Sequence, residues 1–178
     1  MKPSELLLLA LCGVVLASCR TRPAPEASVI PQPVRLESHS GVFSLRPDTV
    51  IITESATGAV ARQLAAALTP ATGYPFELLE DISERRNSIV LQLDASLERL
   101  GQEGYSLEIT PQQVRIRAPA PPGAFYATQT LRQLLPPAIY ASQPQTDADW
   151  TLPCLAIADQ PRCAWRGALI AVARHFMP

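Results

Sequence analysis

Charge is scarce in this sequence. Only 17% of its 178 residues are Asp, Glu, Lys or Arg, against a usual share of about 25%. Part of the deficit lies in an apolar N-terminus and part in an Ala- and Pro-rich body. The charges nearly cancel, leaving a formal net charge of −1. Nucleic acid selects for basic surfaces, so this balance excludes it as a partner. No apolar run reaches the roughly 20 residues that a membrane-spanning helix needs. There are two histidines and four cysteines, without the close spacing of a zinc site, and nothing marks a place for any other cofactor. Neither His39 nor His175 stands near a serine motif, which excludes a Ser-His-Asp triad. The length suits one ordinary domain with little left over.

What is present begins with an export signal. Lys2 supplies a positive start, weakened by Glu5, and Leu6 to Leu16 form an apolar run interrupted only by Cys12 and Gly13. That is the length of a signal h-region. It ends in Leu16-Ala17-Ser18-Cys19, which resembles a bacterial lipobox, in which cleavage precedes the cysteine and the thiol is acylated. Two or more acyl chains hold a protein stably on a membrane. The alternative is an ordinary signal peptide with a chance cysteine. Arg20 follows, not the aspartate that retains lipoproteins in the inner membrane, so the expected address is the bacterial cell envelope, lipid-anchored at the outer membrane or on the periplasmic or extracellular face. Residues 20–28 are polar and Pro-rich and read as a tether. Cys154 and Cys163 remain in the mature chain. A disulfide and two separate thiols are both compatible with the sequence, which does not give their separation.

From Val29 the pattern becomes globular. Val34-Arg35-Leu36 and Val42 to Leu45 alternate around Ser40-Gly41, predicting a small hairpin. Thr49 to Thr53 is a β-branched run and predicts a buried strand. Val60, Leu64, Ala67 and Leu68 recur at helical spacing, with Ser55 or Thr57 as cap and Thr69-Pro70 as the stop. Phe76 to Leu79 and Ser88 to Leu93 read as strands. Gly104 to Thr110 and Val114 to Ala118 alternate about a tight connection, a strong hairpin pattern. A second helix is expected over 124–135, with Phe125, Thr128, Leu131, Leu134 and Leu135 on one face and Pro136-Pro137 as its stop. Residues 138–150 read as a polar loop, Leu152 to Ile157 as a strand, and Trp165 to Ala173 as another. The fold class is α+β: a mainly antiparallel sheet with two helices on one face.

Several phrases in this order resemble one family. They are Val29-Ile30-Pro31-Gln32-Pro33, Glu103-Gly104-Tyr105-Ser106-Leu107, Gly123 to Leu135, Ile157-Ala158-Asp159-Gln160-Pro161-Arg162, and Trp165-Arg166-Gly167. Together they look like the N-terminal domain of family-20 glycoside hydrolases, the β-N-acetylhexosaminidases. The resemblance implies an N-terminal α/β domain over 29–158, after the signal of residues 1–19 and the tether of 20–28. Residues 159–178 then start a (β/α)₈ barrel, which takes about 250 residues, and only its first strand fits. The implied reaction removes terminal N-acetylhexosamines from glycans. The substrate's own acetamido oxygen is the nucleophile, and an Asp-Glu pair late in the barrel orients it and moves the proton.

No Asp-Glu dipeptide occurs in this sequence; Glu80-Asp81 is the reverse order and reads as a solvated surface pair. No catalytic residue is therefore assigned, and the chain is expected to be inactive alone. One residue carries over: Arg166, whose counterpart in the family hydrogen-bonds hydroxyls of the terminal sugar. A planar guanidinium can hold two oxygens at once. A structural arginine at a domain boundary is the competing reading. The family has Asp where Ala171 stands, and Arg174 and His175 match it as strand-end support. A second function class stays open: a non-catalytic surface lipoprotein that binds glycan or a protein partner.

Overall fold

The computed structural model describes residues 27–80 and 85–168. Seven strands form one sheet: β1 (Arg35–Ser44), β2 (Val50–Thr53), β3 (Leu78–Leu79), β4 (Ser88–Leu93), β5 (Tyr105–Ile109), β6 (Gln113–Ala118) and β7 (Thr151–Asp159). Their spatial order is β1-β7-β5-β6-β4-β2-β3. Two helices, α1 (Gly58–Thr72) and α2 (Pro121–Leu134), lie between strands in the chain. Among the described residues no helix is long and apolar enough to cross a membrane.

The sheet is mixed, which corrects the expectation of a mainly antiparallel one. Pairs β1–β7, β7–β5 and β5–β6 are antiparallel, whereas β6–β4, β4–β2 and β2–β3 are parallel. The connections explain the division. Helix α1 carries the chain from β2 back to its starting end, so β3 can only run parallel to β2. Strand β5 reverses the chain after β4, and β6 reverses it again. Because β5 lies on the far side of β6, the twice-reversed β6 meets β4 in parallel register.

Both helices cover one sheet face. Val60, Leu64 and Leu68 of α1 and Ala124, Leu131 and Leu134 of α2 share a single core with Ile51, Leu91, Leu107, Ile116 and Ile157 of the sheet. On the opposite face Val50, Ile52 and Val90 make a small second cluster. Beyond that cluster the face carries Glu108 opposite Arg115 and Ser106 opposite Arg117, with Ala156 and Ala158 of β7 beside them.

Five local expectations fail for identifiable reasons. The hairpin about Ser40-Gly41 is one continuous strand. Residues 35–38 and 42–44 both pair with β7, and the register slips between Ser38 and Val42. Gly41 has φ +107°, so the turn-like dipeptide makes a bulge instead of a reversal. Helix α1 runs past Pro70, although the ring removes one backbone hydrogen bond and crowds the Ala66 carbonyl, and the turn closes beyond it. Gly73 N–H closes on Thr69 O at 2.8 Å, and the Thr72 hydroxyl donates to Leu68 O at 2.8 Å. Thr57 precedes α1 without capping it; its hydroxyl turns inward to Leu91 O at 3.2 Å and Thr53 at 2.8 Å. Phe125 is exposed, since the buried face of α2 is centred on Ala124, Ala127, Thr128 and Leu131. Within the expected polar loop, Pro137–Tyr140 is a 3-10 turn that buries Ile139, and Trp150 is also buried.

Candidate functional site

The chemistry-bearing residue named from the sequence, Arg166, lies beyond the end of β7, and the packing of two glycines decides what it meets. A Cβ on Gly123, in the first turn of α2, would stand 2.1 Å from the carbonyl oxygen of Gly104. Only glycine permits that approach. Gly123 N–H also donates to Gln102 O at 3.1 Å. The contact fixes Glu103, which lies between Gln102 and Gly104, against the helix turn that carries Tyr126.

The end of β7 is fixed to the same place. The Tyr105 hydroxyl bonds the Thr130 hydroxyl of α2 at 2.6 Å and donates to Asp159 Oδ2 at 3.4 Å. Asp159 Oδ1 accepts Val34 N–H at 3.0 Å. Burial pushes the Tyr105 phenol up to about 12, and the Asp159 carboxylate adds to that rise. Ile30 N–H donates to Gln133 Oε1 at 2.9 Å, binding the N-terminal arm to α2 as well.

Arg166 is thereby brought to Glu103 and Tyr126. Its Nη2 donates to Glu103 Oε1 at 2.8 Å, to Oε2 at 2.9 Å and to the Tyr126 hydroxyl at 3.0 Å. Its Nη1 donates to Cys163 O at 2.6 Å. The guanidinium carbon stands 5.7 Å from the centroid of the Tyr126 ring. The Glu103 and Tyr126 bonds hold the guanidinium pKa above its ordinary value. A cleft of about 290 Å³ opens beside it, lined by Ile30, Pro31, Tyr126, Gln129 and Asp159 among others. Phe125 and Trp165 are both exposed.

The other sequence-named residues are not gathered here. Residues 160–168 form no strand, and Ala171, Arg174 and His175 lie outside the described residues, as does Cys19. His39 is exposed in the bulge of β1, and Glu80 is exposed. Cys154 and Cys163 are separate thiols, the first buried and the second exposed; burial pushes the Cys154 thiol up. Among the described residues no cluster of His, Cys, Asp or Glu is arranged to hold a metal ion. Glu103 and Tyr126 both stand in the family-like phrases, but no local pattern sets them apart. The only local signal was a glycine close to each, at Gly104 and Gly123.

Comparisons with known proteins agree on one family. The model for glycosyl hydrolase family 20, domain 2, matches residues 26–160. A β-N-acetylhexosaminidase of Cellulomonas fimi is 36% identical over 155 residues, covering 85% of this chain and 30% of the relative. A variant Streptomyces plicatus β-hexosaminidase, solved in complex with its product GlcNAc, superimposes with a TM-score of 0.77 at 35% identity. That match covers 88% of this chain and 31% of the other. The β-N-acetylhexosaminidase of Streptomyces coelicolor A3(2) gives a TM-score of 0.74 at 35% identity, covering 84% and 29%. The chain thus spans less than a third of each of these three proteins. With its sheet order, its two-helix layer and these matches in accord, the chain belongs to glycoside hydrolase family 20, the β-N-acetylhexosaminidases.

Proposed function

We propose that this chain is the N-terminal part of an exported β-N-acetylhexosaminidase that removes terminal N-acetylglucosamine or N-acetylgalactosamine from glycans. The observation that carries the reading is the 36% identity to the Cellulomonas fimi enzyme across 85% of the chain. The sheet domain then serves as a platform beside the barrel that residues 159–178 begin. Exposed Phe125 and Trp165, each next in the chain to a residue of the Arg166 cluster, are the apolar surface such a neighbour would cover. In the whole enzyme Arg166 reaches the terminal sugar, where its planar fork suits a pair of hydroxyls. Cys19 carries the lipid, which places the enzyme on the bacterial cell envelope.

The sequence holds no Asp-Glu pair, so the 178-residue chain alone should not release p-nitrophenol from its GlcNAc glycoside. Turnover above a buffer blank, abolished by no contaminant removal, would defeat the assignment of chemistry to the barrel. The same gene read through the codons after Pro178 should encode an Asp-Glu pair in a barrel sequence. Tight binding of chitobiose by a folded monomer, measured by calorimetry, would instead favour the non-catalytic lipoprotein.

A further inference from the structure

Arg166 presents five N–H groups in a rigid planar fork. Two donors can meet a pair of hydroxyls only along one edge of the fork, either Nε with Nη2 or Nη1 with Nη2. Both edges contain Nη2. Here three acceptors, the two Glu103 oxygens and the Tyr126 hydroxyl, already share the two hydrogens of Nη2. Nη1 gives a further hydrogen to Cys163 O. Both edges are occupied before any sugar arrives.

We propose that Glu103 and Tyr126 form a latch that holds Arg166 on the N-terminal domain and withholds it from sugar. The latch stands on the domain's own geometry; its consequence for sugar rests on the reading of Arg166 as a sugar ligand. An isolated exposed ion pair contributes little, but this contact is more than a pair. Both carboxylate oxygens, a hydroxyl and an aromatic ring converge on one cation. The acceptors are set in place by the Gly104–Gly123 contact, so little ordering is needed when Arg166 docks. The Tyr126 hydroxyl also reaches Glu103 Oε1 at 3.4 Å. A carboxylate is a stronger acceptor for guanidinium than a neutral sugar hydroxyl, so the latch is the resting state, and the sugar or a neighbouring domain must displace it.

Trypsin reads the latch directly, because cleavage after an arginine requires that side chain to enter the protease pocket. Arg162 is exposed and lies four residues upstream, which makes it an internal control. In the 178-residue chain, the initial rate of cutting at Arg166–Gly167 relative to Arg162–Cys163 should rise about threefold or more in Glu103→Gln. Tyr126→Phe should raise it by a smaller factor, with circular dichroism unchanged in both variants. An unchanged ratio in Glu103→Gln overturns the latch. Calorimetry with GlcNAc then separates the two claims. Tighter binding by Glu103→Gln than by the parent supports the competition. A raised trypsin ratio with GlcNAc bound equally by the two proteins leaves the latch standing and overturns the competition for sugar.

Discussion

Tyr105 is where the domain's polar interior is most exposed to test. Its hydroxyl joins β5 to α2 through Thr130 and approaches Asp159 at the end of β7. Tyr105→Phe keeps the ring and leaves the Thr130 hydroxyl without that partner, which should cost about 1–2 kcal/mol by urea denaturation. The pH dependence follows from the same bond. The folded-state pKa, about 12, lies above the ordinary value of 10.0, so the folded state holds this proton more tightly than the unfolded chain. The contribution is complete below pH 10 and is lost as pH rises toward 12. Unfolding curves across that window should show the decline in the parent and a smaller one in Tyr105→Phe. At this scale the sequence was least informative. Glu103 and Tyr126 stand 63 and 40 residues from Arg166, and no local pattern announces a partner that distant. Resemblance points to Arg166, but only the fold brings Glu103 and Tyr126 to it.

Elements were more legible, because periodicity reports burial. The alternation in β5 and β6, the β-branched run of β2 and the helical spacing in α1 all correspond to observed elements. Strand direction was not legible: alternation says which residues face the core, not which way a neighbour runs. The bulge in β1 misled for a related reason, since Ser40-Gly41 suits a reversal and a bulge equally well. The tightest junction between elements is α2 against the start of β5. Gly123→Ala places a methyl group against the Gly104 carbonyl and should destabilise the domain by about 1–3 kcal/mol. Gly58→Ala is the contrast. Its added Cβ would meet only Arg62 Nη1, at 3.6 Å, in a helical backbone of φ −58°. There alanine should be neutral or should stabilise by up to about 1 kcal/mol. Equal effects of the two substitutions in urea would deny the close approach any special role.

Across the whole molecule the antiparallel and parallel halves of the sheet share one core. That core runs from Phe43 and Leu152 at one side through Leu107 and Ile116 to Ile51 and Leu64 at the other. A continuous core of this kind should unfold as one unit. Trp150 is buried and Trp165 is 87% exposed, so the fluorescence change on unfolding will report mainly Trp150. Its urea midpoint should coincide with that of far-ultraviolet circular dichroism. Two separated midpoints would mean that the α1 half and the α2 half are independent.

The first and last strands of this core are neighbours, and Arg35 pairs with Ala158. The chain therefore enters and leaves the domain at the same corner, where Asp159 grips Val34 N–H. A force applied between the segments before and after the sheet would load the β1–β7 ladder from that corner, opening its bonds one after another like a zipper. Rungs that break in sequence resist far less than rungs sheared together. Mechanically, then, the domain is a side-hung cassette with its weakest seam along β1–β7, and the Asp159–Val34 bond is the first rung of that seam to carry load.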